Sequence, residues 1–81
     1  MKFEVQITIA LKEGMLDPEA RAIQHALNNL GFATEGLKTA NVYCITVDAP
    51  TADEARTRAT EMCERLLANP VIHDYCIEVA Q

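Results

Sequence analysis

The sequence predicts a two-layer α+β sandwich of order β-α-β-β-α-β, with a four-stranded antiparallel sheet and both helices on one face. Three observations carry this expectation: a strict apolar/polar alternation over residues 3–11, two helix-start signals at Asp17-Pro18 and Thr51-Ala52-Asp53-Glu54, and further alternations around Tyr43 and Tyr75. Strand-helix-strand connections are right-handed almost without exception, so both helices are expected on the same side of the sheet.

Phe3, Val5, Ile7, Ile9 and Leu11 occupy odd positions with Glu4, Gln6, Thr8 and Ala10 between them, the pattern of a half-buried strand. Lys12-Glu13-Gly14 breaks it. Asp17 then offers a capping oxygen and Pro18 a fixed φ for the first helical position, and Ile23, Ala26, Leu27 and Leu30 recur at helical spacing up to Gly31. Phe32–Lys38 is read as a short strand loosened by Gly36, and Thr39-Ala40-Asn41 as the connection to an antiparallel strand at Val42–Val47. Thr51 and Glu54 form a capping box for the second helix, whose apolar stripe is Ala55, Ala59, Met62, Cys63, Leu66 and Leu67 and which Asn69-Pro70 stops. Val71-Ile72 and the alternation Tyr75, Ile77, Val79 make the last strand. The whole is a ferredoxin-like layout. Its outer sheet face would carry Glu4, Gln6, Thr8, Ala10, Val42, Cys44, Thr46, Cys76 and Glu78, a thinly charged surface suited to cover by another chain.

The length of 81 residues fits one domain over residues 1–81. An apolar content of 49% with 23% charged residues is that of a folding chain. A net charge of -5 argues against capture of nucleic acid or an anionic membrane surface, and four aromatics without Trp supply few base-stacking platforms. No apolar run approaches a membrane span, and the alternation after Met1-Lys2 leaves no continuous apolar stretch for an export signal, so a cytoplasmic location is expected. Cys44, Cys63 and Cys76 contain no C-x-x-C pair and are expected to be small buried hydrophobes in a reducing compartment.

Candidate chemistry does not converge. The loop after the first strand holds no Cys or His for a copper or zinc carrier, the strands present no outward stacking aromatics for RNA, and Lys12 is that loop's only cation beside Glu13 and Asp17, against a phosphatase. The chain has no Ser. His25 reads as a solvated helix residue and His73-Asp74 as a surface turn. These residues describe a binding or assembly module without catalytic, cofactor or metal residues of its own.

Asp17-Pro18, Ala22-Ile23, Ala26-Leu27, Leu30-Gly31-Phe32 and the run Met62-Cys63-Glu64-Arg65-Leu66-Leu67-Ala68-Asn69-Pro70-Val71-Ile72 with Asp74-Tyr75 resemble the PurS subunit of phosphoribosylformylglycinamidine synthase. The likeness extends to Ile77-Glu78-Val79, and Leu-Leu-Ala-Asn-Pro-Val-Ile is its most specific part. The resemblance implies a non-catalytic accessory subunit for the fourth step of de novo purine synthesis. In that family a PurL synthetase binds ATP and formylglycinamide ribonucleotide, a PurQ glutaminase releases ammonia, and a PurS dimer, or a tetramer, helps them assemble; ATP, Mg and glutamine belong to the complex, not to this subunit. The chain departs from the family at Ala20, where Gly is usual, and at Lys38-Thr39-Ala40-Asn41, where a basic-x-Gly-Lys turn is usual. The lost Gly and Lys imply a re-optimised partner contact at that turn. Lys12, Asp17, Lys38 and Asn41 are the candidate interface residues, chosen because loops between elements carry binding. A competing expectation is a ligand-sensing domain of the same layout, binding a small metabolite at a dimer interface near Gly14 and Asp17.

Overall fold

A computed structural model describes residues 1–81. Its elements are β1 (Lys2–Leu11), α1 (Pro18–Asn29), β2 (Ala40–Asp48), α2 (Ala52–Met62) continued by a π-helical turn at Cys63–Leu67, and β3 (His73–Ala80). β1 is the central strand of a three-stranded antiparallel sheet of order β2-β1-β3. Its register sets Phe3, Val5 and Ile7 against Val47, Ile45 and Tyr43 on one side, and Val5, Ile7 and Ile9 against Val79, Ile77 and Tyr75 on the other. The strand period of two thus gathers these apolar residues on one face.

α2 covers that face through small residues. Ala55, Ala59 and Cys63 are fully buried against Phe3, Val5, Ile7 and Ile9, and a helix lined by such side chains approaches the sheet closely. Thr51 Oγ1 accepts the Glu54 N–H at 3.2 Å, whereas the Glu54 carboxylate turns to Arg58 (3.7 Å), so half of the capping box forms. The guanidinium groups of Arg56 and Arg58 donate to the carbonyls of Ile77 (2.9 Å) and Asp48 (2.6 Å), tying the helix to both edge strands. Before Pro70 the helix widens, and the Ala68 N–H donates to the Cys63 carbonyl at 2.8 Å. The wide turn leaves Leu67 half-buried and turns Leu66 out of the expected stripe, 84% exposed.

Four expectations are corrected. The sheet has three strands, because Phe32–Lys38 forms no strand. With two large apolar residues, Gly36 and no tight-turn pair, this segment has little to offer a sheet. It runs back along α1 instead: Gln24 Nε2 donates to the Thr34 carbonyl (3.2 Å), and Asn28 Oδ1 accepts from both the N–H (3.2 Å) and the hydroxyl (2.9 Å) of Thr34. Ala40 and Asn41 are not a connection but the first residues of β2, paired with Ala10 and Ile9. α1 does not lie on the sheet: Ala20 is its only buried residue and stands outside the core cluster, and no strand or helix packs closely against it. Finally, β3 begins at His73 rather than Val71, so His73 and Asp74 are strand residues; Ile72 and His73 donate their N–H groups to the Asn69 carbonyl in a turn, and His73 Nδ1 accepts the Asn69 N–H at 2.9 Å.

Two regions result. The body comprises the sheet and α2; the arm comprises α1 and residues 30–39, and it leaves the sheet at the end where Ala10 and Ala40 pair. The Cα radius of gyration is 16.1 Å and the longest dimension 51 Å; a compact chain of this length would have a radius of about 12 Å.

Candidate partner-binding site

The loop from Lys12 to Leu16, the start of α1 and residues 37–39 enclose an open cavity of about 290 Å³. The loop turns through Gly14, whose φ of +82° lies in the left-handed region, and the Met15 N–H closes it on the Lys12 carbonyl at 3.2 Å. Asp17 caps α1: Oδ1 accepts the Ala20 N–H at 3.0 Å while Oδ2 accepts the Thr39 hydroxyl at 2.7 Å. The Ala20 bond, then that of Thr39, holds its carboxyl below the usual range. Replacing the usual Gly by Ala at position 20 suits this arrangement, since Ala20 is buried within the first helical turn.

Lys12, Asp17 and Lys38 all line this cavity, and Asn41 lines an adjoining groove together with Asp17. The four residues chosen from the sequence therefore share one end of the molecule. Lys38 Nζ is paired with Glu13 at 3.1 Å across exposed surface, and the Lys12 backbone N–H donates to the Ile72 carbonyl at 2.8 Å. Sequence reasoning missed Glu13, Arg21, Gln24 and Thr39 at this site. The signal for Thr39 was available, because a capping carboxylate has a second oxygen to satisfy.

A second candidate surface is the outer face of the sheet. Thr46 Oγ1 donates to Glu4 at 2.9 Å, Gln6 lies between Cys44 and Glu78, and Thr8 lies between Val42 and Cys76. Cys44 and Cys76 are exposed here, contrary to the expectation of three buried thiols, because both point away from α2. Only Cys63 is buried; burial, and then the neighbouring Glu64 carboxylate, pushes its thiol up and keeps it protonated and unreactive. No three His, Cys, Asp or Glu side chains converge in a metal-holding arrangement, and no helix is long and apolar enough to cross a membrane.

Known proteins share both the sequence and this shape. Residues 4–81 match the PurS family, described as phosphoribosylformylglycinamidine (FGAM) synthase. The phosphoribosylformylglycinamidine synthase subunit PurS of Methanothermobacter thermautotrophicus is 44% identical over 98% of this chain and 94% of its own length. The crystal structure of Methanocaldococcus jannaschii PurS, one of the subunits of formylglycinamide ribonucleotide amidotransferase in the purine biosynthetic pathway, superposes with a TM-score of 0.87 at 41% identity, covering 98% of this chain and 96% of that one. A chain in the structure of PurLQS from Thermotoga maritima has the same fold, with a TM-score of 0.89 at 24% identity and 98% coverage of both chains. The chain belongs to the PurS family of phosphoribosylformylglycinamidine synthase subunits.

Proposed function

We propose that this chain is the accessory subunit that assembles a PurL synthetase with a PurQ glutaminase, so that ammonia released from glutamine reaches the synthetase in the fourth step of purine synthesis. The observation that carries the reading is the PurS match over residues 4–81. A related protein of the same fold occurs with PurL and PurQ in one assembly, PurLQS from Thermotoga maritima, which supports the same partners here. Transfer of ammonia between subunits needs complementary surfaces and a path shielded from water rather than a nucleophile. The surfaces are the cavity end, with Lys12, Asp17, Lys38 and Asn41, and the outer sheet face. ATP, Mg and glutamine are handled by the large partners, and the subunit works in the cytoplasm as a homodimer or tetramer.

The test is formation of formylglycinamidine ribonucleotide by purified PurL and PurQ, with and without this chain, with glutamine or with ammonium as the nitrogen source. The expected result is dependence on the chain with glutamine and much less with ammonium. Activity that ignores the chain under both conditions would overturn the reading.

A further inference from the structure

The cavity at the root of the arm is rich in free donors and poor in free acceptors. Lys12, Arg21 and Lys38, three of the chain's seven basic residues, line it together with the carboxylates Glu13 and Asp17, a local excess of one positive charge in a chain whose net charge is -5. The carboxylates are already engaged. Asp17 Oδ1 and Oδ2 accept the Ala20 N–H and the Thr39 hydroxyl, and Glu13 accepts Lys38 Nζ at 3.1 Å; the Lys12 carbonyl in turn accepts the Met15 N–H. The donors are not engaged: the side chains of Lys12 and Arg21 enter no hydrogen bond or ion pair within the chain. The N–H groups of Glu13, Gly14 and Leu16, in the loop that walls the cavity, likewise donate to no group of the chain. Leu11, Met15 and Leu37 form an apolar part of the wall.

We infer that this cavity binds a small organic carboxylate, held by Lys12 and Arg21 with its apolar body against Leu11, Met15 and Leu37. Free donors are satisfied by a ligand that brings acceptors and negative charge, whereas an amine or a metal ion would meet carboxylates that already have partners. Arginine's planar fork matches the two oxygens of a carboxylate, and lysine adds a point charge beside it. The apolar wall favours an organic acid over inorganic phosphate, because only the acid has apolar surface to bury. Size sets the limit: about 290 Å³ lies at the small end of ligand pockets and suits a short acid rather than a nucleotide. Lys12 belongs to the body, where its N–H donates to the Ile72 carbonyl, and Arg21 belongs to α1 in the arm. A carboxylate held by both therefore braces the arm against the body. The site adds a ligand to the end of the molecule proposed above as a partner surface, and its test uses this chain alone, so neither reading falls with the other.

The test is an amide NMR titration of the isotope-labelled full chain with sodium butanoate at constant ionic strength. Butanamide serves as the uncharged control of the same shape, and sodium phosphate as an anion without an apolar body. The expected result is saturable shifts confined to residues 12–21 and 37–39, with a dissociation constant of about 1 mM, no saturable response to butanamide and weaker binding of phosphate. Lys12→Gln and Arg21→Gln are each expected to weaken butanoate about threefold, the worth of an exposed charge pair, while Lys12→Arg retains it. The spectra themselves show whether each variant is folded. Shifts that grow without saturation or spread over the whole molecule would identify an adventitious additive only and overturn the site. Butanamide binding as tightly as butanoate would overturn recognition of the carboxylate, and phosphate binding as tightly would overturn recognition of the apolar body. Butanoate affinity unchanged in both glutamine variants, or no response of these amides until PurL or PurQ is added, would overturn the proposal equally.

Discussion

The body and the arm each contain an amphipathic helix started by a side-chain cap, and their fates differ. α2 places Ala55, Ala59 and Cys63 against β1 and is anchored to both edge strands by Arg56 and Arg58. α1 carries the larger apolar residues Ile23, Leu27 and Leu30, but its only tertiary hydrogen bonds are with its own return segment. The difference teaches that an apolar stripe determines that a helix will be covered, not which surface covers it. Small residues at Ala55 and Ala59 let α2 lie close on the central strand, whereas the arm leaves the bulky Ile23, Leu30 and Phe32 exposed.

Ways to break this comparison begin in the body. Ile7 is fully buried in the central strand, so Ile7→Ala is expected to cost about 2–5 kcal/mol in urea unfolding; a smaller loss would mean that the core is looser than its packing indicates. Ala59→Leu forces a large side chain into the α2–β1 contact and is expected to cost about 1–3 kcal/mol by the same measurement. On the arm, Leu30→Gln is expected to leave the diluted protomer within about 0.5 kcal/mol of the parent. The same substitution should weaken self-association by about tenfold or more, since burying a leucine contributes about 1.5–3 kcal/mol. Urea unfolding of the diluted protomer reads the first and sedimentation equilibrium the second, and an unchanged dimer affinity would show that this part of the arm is free. Thr51→Ala removes the α2 cap and is expected to cost about 1 kcal/mol.

The smallest effect concerns the arm's own cap. Asp17 has its folded pKa lowered by the Ala20 N–H and the Thr39 hydroxyl. Its contribution is therefore present above the unfolded carboxyl's pKa and is lost as pH falls through the folded value. Faster amide exchange at Ala20 below the ordinary carboxylate range, corrected for intrinsic rates, is the expected signature. Asp17→Asn keeps an acceptor without the charge and should flatten that dependence.

Legibility followed the range of the interactions. β1, both caps, the left-handed Gly31 (φ +100°) and the stop at Asn69-Pro70 were legible because neighbours in sequence set them. The four interface candidates were legible as loop positions, but not their gathering at one cavity, nor the roles of Glu13 and Thr39, which depend on contacts 25 and 22 residues apart in the chain. Phe32–Lys38 failed as a strand where its backbone found nearer partners: the Phe32 N–H donates to the Leu27 carbonyl, and both backbone groups of Thr34 bond to the side chains of Asn28 and Gln24. Alternation already placed Cys44 and Cys76 on the outer face; what it did not show is that no element of the chain covers that face, which leaves both thiols exposed.

The sequence by itself determined the central strand, the helix starts and stops and the likeness to PurS, because each is written in local spacing or in a contiguous run of residues. Tertiary structure alone decided that the sheet has three strands, that α1 stands off it and that Tyr43 on β2 stays exposed. Those outcomes depend on which of several apolar surfaces meet, a competition between contacts distant in the chain that periodicity does not encode.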